Sequence, residues 1–118
     1  MITQQVQSNN FPVMHCYWST TTSINILFEL CQHNAEIGYK TLSSSLQRYN
    51  YLLVLLFDML NALAELEKMS IIHRDIKPEN ILAKYGIFKL TDLGLSRLSD
   101  KQHQNFTNDI GNRLGRSP

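Results

Sequence analysis

The residues of this 118-residue chain that could do chemistry fall in two short runs. The first is His73-Arg74-Asp75-Ile76-Lys77-Pro78-Glu79-Asn80. The second is Thr91-Asp92-Leu93-Gly94, with Asp92 twelve residues beyond Asn80. Asp75 is a carboxylate able to accept the proton of a hydroxyl and hold it in line for attack. Asn80 and Asp92 are hard oxygen donors of the kind magnesium prefers, an ion that also keeps waters and phosphate oxygens in its octahedron. Lys77 puts an ammonium two residues past Asp75. Asp-Ile-Lys-Pro by itself is also an ordinary charged turn between a helix and a strand. Both runs together, in this order and at this distance, outweigh that plain reading.

The first run matches the pattern H-R-D-L-x-x-x-N, with Ile76 in place of Leu. The second stands where D-F-G belongs, with Leu93 in place of Phe. The chain therefore resembles a eukaryotic-type protein kinase. That resemblance implies ATP and Mg2+ as cofactors and transfer of the γ-phosphoryl to a protein hydroxyl, a reaction carried by positioning and charge neutralisation. It implies Asp75 as the group that accepts the hydroxyl proton, Lys77 beside the γ-phosphate, and Asn80 and Asp92 on the metal. Lys77-Pro78-Glu79-Asn80 is similar to the serine/threonine kinases rather than the tyrosine kinases. Arg74 resembles the arginine of members whose activation segment is ordered by phosphorylation, since a guanidinium binds phosphate in bidentate fashion. Thr107 is similar to the activating threonine of cyclin-dependent-like kinases.

The elements that must position these groups are legible in part. From Phe11 to Leu30 the chain is rich in β-branched and aromatic residues, interrupted by Ser19-Thr20-Thr21-Thr22-Ser23, which predicts a hairpin of strands Val13–Trp18 and Asn25–Leu30. Residues 32–45 suit a linker with at most a short helix. Ser45 is expected to cap a long helix reaching about Met69, with Leu46, Tyr49, Leu53, Leu56, Leu60, Leu63 and Leu66 at helical spacing. Leu52, Val54, Leu55 and Phe57 widen that face, so burial on several sides is expected. A short strand at Ile71-Ile72, strands Ile81–Ala83 and Phe88–Leu90, and a turn at Lys84-Tyr85-Gly86 follow. Residues 95–118 read as loop.

This order predicts an α+β, partial protein-kinase-like fold: a frayed or disordered 1–12, small-lobe strands in 13–30, a hinge region in 31–44, and the start of a large lobe in 45–118. Asn25 to Asn34 resembles the strand-to-hinge passage, closest in flavour to cyclin-dependent kinases. On that resemblance Phe28 closes the back of an adenine pocket. The carbonyl of Glu29 and the amide of Cys31 pair with the adenine edge, Asn34 meets the ribose, and Leu82 lies under the base.

Composition narrows the remaining possibilities. With 43% hydrophobic and 18% charged residues and a net charge of +1, the chain has the make-up of one small globular domain. Near-neutral charge gives no reason to expect nucleic acid or an acidic membrane as partner. Cys16 and Cys31, the two cysteines, lack metal-ligand spacing and are expected to be reduced and buried. Met1-Ile2-Thr3-Gln4-Gln5 does not open a signal peptide. The apolar run Tyr51–Phe57 stops at Asp58, short of a membrane span. A cytoplasmic or nuclear protein is expected.

Other features weigh against catalysis by this chain alone. No glycine-rich loop or strand lysine precedes Val13, and Ser117-Pro118 stands where Ala-Pro-Glu is approached. Asn112 and Gly115 depart from the threonine and aromatic residue usual in that segment. Two functions are thus open. One is a serine/threonine kinase acting on protein substrates, of which these residues are an incomplete piece with insignificant turnover. The other is a non-catalytic fragment that binds protein partners through the exposed apolar face of the long helix. Limited closure of the core predicts low stability.

Overall fold

The computed structural model describes residues 8–93 and the backbone of residues 97–98. Strands β1 (Met14–Ser19) and β2 (Ile24–Phe28) pair antiparallel, with the register shifting between Met14 and Cys16. Their turn is closed by the Thr20 and Ser23 backbones and by Thr20 Oγ1, which accepts from the N–H groups of Thr22 and Ser23. After β2 the chain enters β3 (His33–Asn34), a six-residue helix α1 (Ala35–Lys40) and the long helix α2 (Ser45–Lys68). Strand β4 (Ile71–Ile72) leads into the Asp75 loop, which ends in a 3-10 turn at Pro78–Asn80. Strands β5 (Ile81–Lys84) and β6 (Ile87–Leu90) form a second hairpin, and β3 extends it into a sheet of order β3-β5-β6. Strand β7 (Arg97–Leu98) pairs with β4.

Local chemistry explains the boundaries. The β5–β6 turn has Tyr85 and Gly86 at φ +48° and +78°, so both central residues are left-handed, as a two-residue hairpin loop requires. Helix α2 starts one residue earlier than expected. Ser44, not Ser45, is the cap: its hydroxyl accepts from Gln47 N–H while Gln47 Oε1 accepts from Ser44 N–H, a reciprocal capping box. Gly38 lets α1 dock closely, because a Cβ there would lie 2.3 Å from Tyr51 Oη and 2.5 Å from His33 Cε1. Tyr51 Oη donates to the Ala35 carbonyl at 2.9 Å, and its ring meets Phe88 edge-on at 4.9 Å. Burial raises the Tyr51 phenol above its ordinary range.

The core lies where α2 crosses β4, β5 and β6. It contains Met59, Ala62 and Leu66 of α2 with Ile71, Ile81, Ala83, Phe88 and Leu90, and Phe11 and Ala35 close its edges. Asp58 is buried beside them and accepts from Phe88 N–H at 2.8 Å, so a helix side chain satisfies a strand donor.

Three expectations are corrected here. Asn10 and Phe11 are held in the core rather than frayed: Asn10 Nδ2 donates to Phe88 O, Asn10 O accepts from Leu90 N–H, and Phe11 is 4% exposed. The inward stripe of α2 is Tyr51, Leu55, Asp58, Met59, Ala62 and Leu66. Of the leucines expected there, Leu46, Leu53, Leu56, Leu60 and Leu63 are exposed, as is Tyr49. Cys16 is exposed and Cys31 half-buried, neither of them in a disulfide. Although the run Tyr51–Phe57 is short, α2 as a whole is long and apolar enough to span a bilayer by length and composition. Its inward stripe nevertheless packs on the strands.

Candidate active site

His73 organises the Asp75 loop. Its ring is buried, with Nε2 2.8 Å from the Thr91 carbonyl and Nδ1 3.2 Å from Asp75 N–H. A carbonyl can only accept and an N–H can only donate, so the proton sits on Nε2 and Nδ1 takes the Asp75 amide. One imidazole thereby spans the loop and the residue before Asp92. Asn80 makes the second tie. Its Nδ2 donates to the Asp75 carbonyl at 2.9 Å and to Asp75 Oδ2 at 3.0 Å, while its backbone carbonyl accepts from Thr91 N–H. Lys77 Nζ lies 3.4 Å from the same Asp75 Oδ2.

Asp75, Lys77 and Asn80 are therefore brought together on one carboxylate, with Asp92 directly after Thr91, the residue tied to His73 and Asn80. Both amide protons of Asn80 are engaged, which leaves its Oδ1 as an acceptor. Asp92 is exposed, its backbone at φ +62°. These two oxygen-bearing side chains fit Mg2+, which is usually held by one or two protein oxygens and completes its shell from substrate and water. Among the described residues no group of three or more His, Cys, Asp or Glu could form a closed cage. Leu93 is partly buried against the core, so an aliphatic side chain serves where the pattern has Phe. Arg74, at φ +71°, lies in the same loop.

The residues expected around a nucleotide lie along one path. Phe28 ends β2 and pairs with Met14. Gln32 N–H donates to Ala83 O, and β3 then pairs His33 with Ala83 and Asn34 with Leu82, which sets Asn34 opposite Leu82. The Glu29 carbonyl and Cys31 amide lie between the bonds Glu29 N–H to Val13 O and Gln32 N–H to Ala83 O and take part in neither. Asn34 caps α1, its Oδ1 accepting from Ile37 N–H at 2.9 Å. Burial, with Glu29 nearby, pushes the Cys31 thiol up. A cavity of about 430 Å³ is lined by Leu63, Leu66, Ile71, Ile72, Arg74 and Ile76 among others. None of the five expected nucleotide residues borders it. Thr107, Asn112 and Gly115 lie outside the described residues.

Sequence reasoning missed the supporting groups. Glu29 was expected for its backbone alone, yet its carboxylate accepts from Lys84 at 2.6 Å, from Lys89 at 2.9 Å and from Val13 N–H at 2.9 Å. The Lys84 hydrogen bond leads in lowering its carboxyl from 4.5 to about 2, and Glu29 in turn raises the Lys84 ammonium. The partners lie 55 and 60 positions away along the chain, so no local signal marks them. His73 and Asn80, by contrast, were flagged by the motif itself.

A protein-family comparison agrees with this arrangement: the model of the protein kinase domain matches residues 1–118. The chain belongs to the protein kinase family. Its α+β fold is accordingly that of part of a kinase domain. The curated relatives include cyclin-dependent kinase-like 2 of Pongo abelii, Rattus norvegicus and Mus musculus, each 33% identical over 94 residues, or 79% of this chain. Those matches take in 19%, 18% and 16% of the relatives' own lengths, so the chain spans under a fifth of each. The kinase family as a whole phosphorylates proteins using ATP and Mg2+.

Proposed function

We propose that this chain carries the catalytic loop and metal-binding residues of an ATP-dependent protein serine/threonine kinase. The observation that supports it most is the convergence of Asn80 and Lys77 on Asp75 Oδ2. A carboxylate held by an amide and an ammonium is fixed in direction, as a group that must orient a hydroxyl needs to be. Asp75 holds the substrate hydroxyl and accepts its proton. Lys77 supplies positive charge beside the transferred group. Asn80 Oδ1 and Asp92 would hold Mg2+, which supplies charge neutralisation when bound. The Glu29 carbonyl and Cys31 amide offer one acceptor and one donor to the adenine edge, with Phe28, Asn34 and Leu82 around the nucleoside. Arg74 and Thr107 are proposed as the phosphate-responsive pair. Lys77-Pro78-Glu79-Asn80 and the likeness to cyclin-dependent kinase-like 2 support Ser/Thr over Tyr.

The test separates the site from turnover. ATP is added to the isotope-labelled chain with and without Mg2+, beside Asp92→Ala, and the amide signals of Asp75, Asn80 and Leu82 are followed by NMR. The expected result is a Mg2+-dependent shift that Asp92→Ala abolishes, with any phosphoryl group transferred from ATP found on Ser or Thr of a general protein substrate. Shifts that ignore Mg2+ or survive Asp92→Ala overturn the assignment.

A further inference from the structure

The β1–β2 hairpin and the β3-β5-β6 sheet are separate sheets, and β1 and β2 pack chiefly on each other. The chain passes between them at two adjacent places, Phe11–Val13 on the way in and Glu29–Gln32 on the way out. The Glu29 carboxylate sits at this crossing. Oε1 accepts from Val13 N–H and from Lys89 Nζ, and Oε2 from Lys84 Nζ. Lys89 also donates to Phe11 O at 3.3 Å. Thus Lys89 of β6 holds the segment entering β1 and the segment leaving β2 at once. The Glu29 and Lys89 side chains are each 9% exposed, and Lys84 is 27% exposed. A buried carboxylate with two ammonium partners and a backbone donor has few other arrangements open to it, because losing a partner leaves a desolvated charge.

We propose that Glu29 is a positioning residue: its carboxylate is an ionic latch that sets the β1–β2 hairpin against the β3-β5-β6 sheet and fixes the Glu29–Cys31 backbone. The adenine-facing part of this rests on the function proposed above; the latch itself does not. The two surface pairs of the helices, Lys40 with Glu36 and Lys68 with Glu65, join neighbours on one helix and have no such reach.

Site-resolved hydrogen exchange on the full 118-residue chain tests the latch. Glu29→Gln keeps the shape and removes the charge; Lys89→Met removes one partner; Lys89→Arg restores it. Both of the first two are expected to speed exchange at Val13, Glu29 and Gln32 by about tenfold, the scale of one lost charge-assisted hydrogen bond. Met59 and Ala62 in α2 stay unchanged, and Lys89→Arg stays near the wild type. Unchanged exchange at Val13 and Gln32, or an equal rise throughout α2, overturns the latch. Should Glu29→Gln not fold by circular dichroism, Lys84→Met removes the more exposed partner and is read the same way. Adenosine, titrated against the Cys31 amide signal, tests positioning: Glu29→Gln is expected to weaken binding about tenfold. Unchanged affinity beside faster exchange overturns the positioning role. If the wild type shows no Cys31 shift with adenosine, the adenine reading falls, and exchange alone decides the latch.

Discussion

The stretch from Ile71 to Leu93 and the hairpin from Met14 to Phe28 are held in opposite ways. In the first, His73, Asn80 and Thr91 bind one another across 11 to 18 positions, and Ile81, Ala83, Phe88 and Leu90 are buried beneath them. In the second, Tyr17, Trp18, Ile24 and Leu27 are about half exposed or more, and the bonds beyond the ladder are local turn contacts. The hairpin is anchored at its base, through Glu29 and Val13. One region is thus fixed by the core, and the other by its register and a charged root. Groups that must keep a geometry to within fractions of an ångström sit in the former.

The sharpest way to break this contrast is at its centre. Leu66 is 1% exposed between α2 and the strands, and Leu66→Ala is expected to cost about 2–5 kcal/mol in urea unfolding. A loss near zero would mean that the site region does not rest on this core. Acid comes next. The Glu29 carboxyl is lowered to about 2 in the folded chain against an ordinary 4.5. Its contribution is therefore complete above about pH 4.5 and is lost as pH falls towards 2. Stability measured across that window should drop less steeply in Glu29→Gln than in the wild type; parallel curves would sink the link. The smallest effect belongs to the hairpin. Ile24→Ala, at a residue 65% exposed, should change stability by no more than about 0.5 kcal/mol. A larger loss would show that the hairpin has packing partners beyond itself.

Legibility in the sequence followed the range of the contacts. The β5–β6 hairpin was visible because Tyr85-Gly86 interrupts two apolar runs. The Asp75 loop was visible because its residue types stand together in one run of eight, although His73 and Asn80 also reach Thr91, 18 and 11 positions on. The helix start was off by one because three serines, Ser43 to Ser45, adjoin, and Gln47, three residues after Ser44, was the signal that picks out the cap. The inward face of α2 was misread for a different reason. Leucines surround the helix, so periodicity had no clear side to choose, and the buried stripe contains the small Ala62 and the acidic Asp58. Asn10, Lys84 and Lys89 act on residues 55 to 80 positions away, where a one-dimensional pattern has nothing to offer.

Arg74 and Asp92 both adopt left-handed backbone, at φ +71° and +62°, which costs a non-glycine residue on the order of 1–3 kcal/mol. Glycine would relax either position, as Gly86 does in the β5–β6 turn. The fold alone therefore has a cheaper residue for both places. Ser70 and Tyr85 carry the same left-handed backbone, at φ +55° and +48°, so the chain turns this sharply at four non-glycine positions among the described residues, and two of the four flank the Asp75 loop and its neighbouring strand.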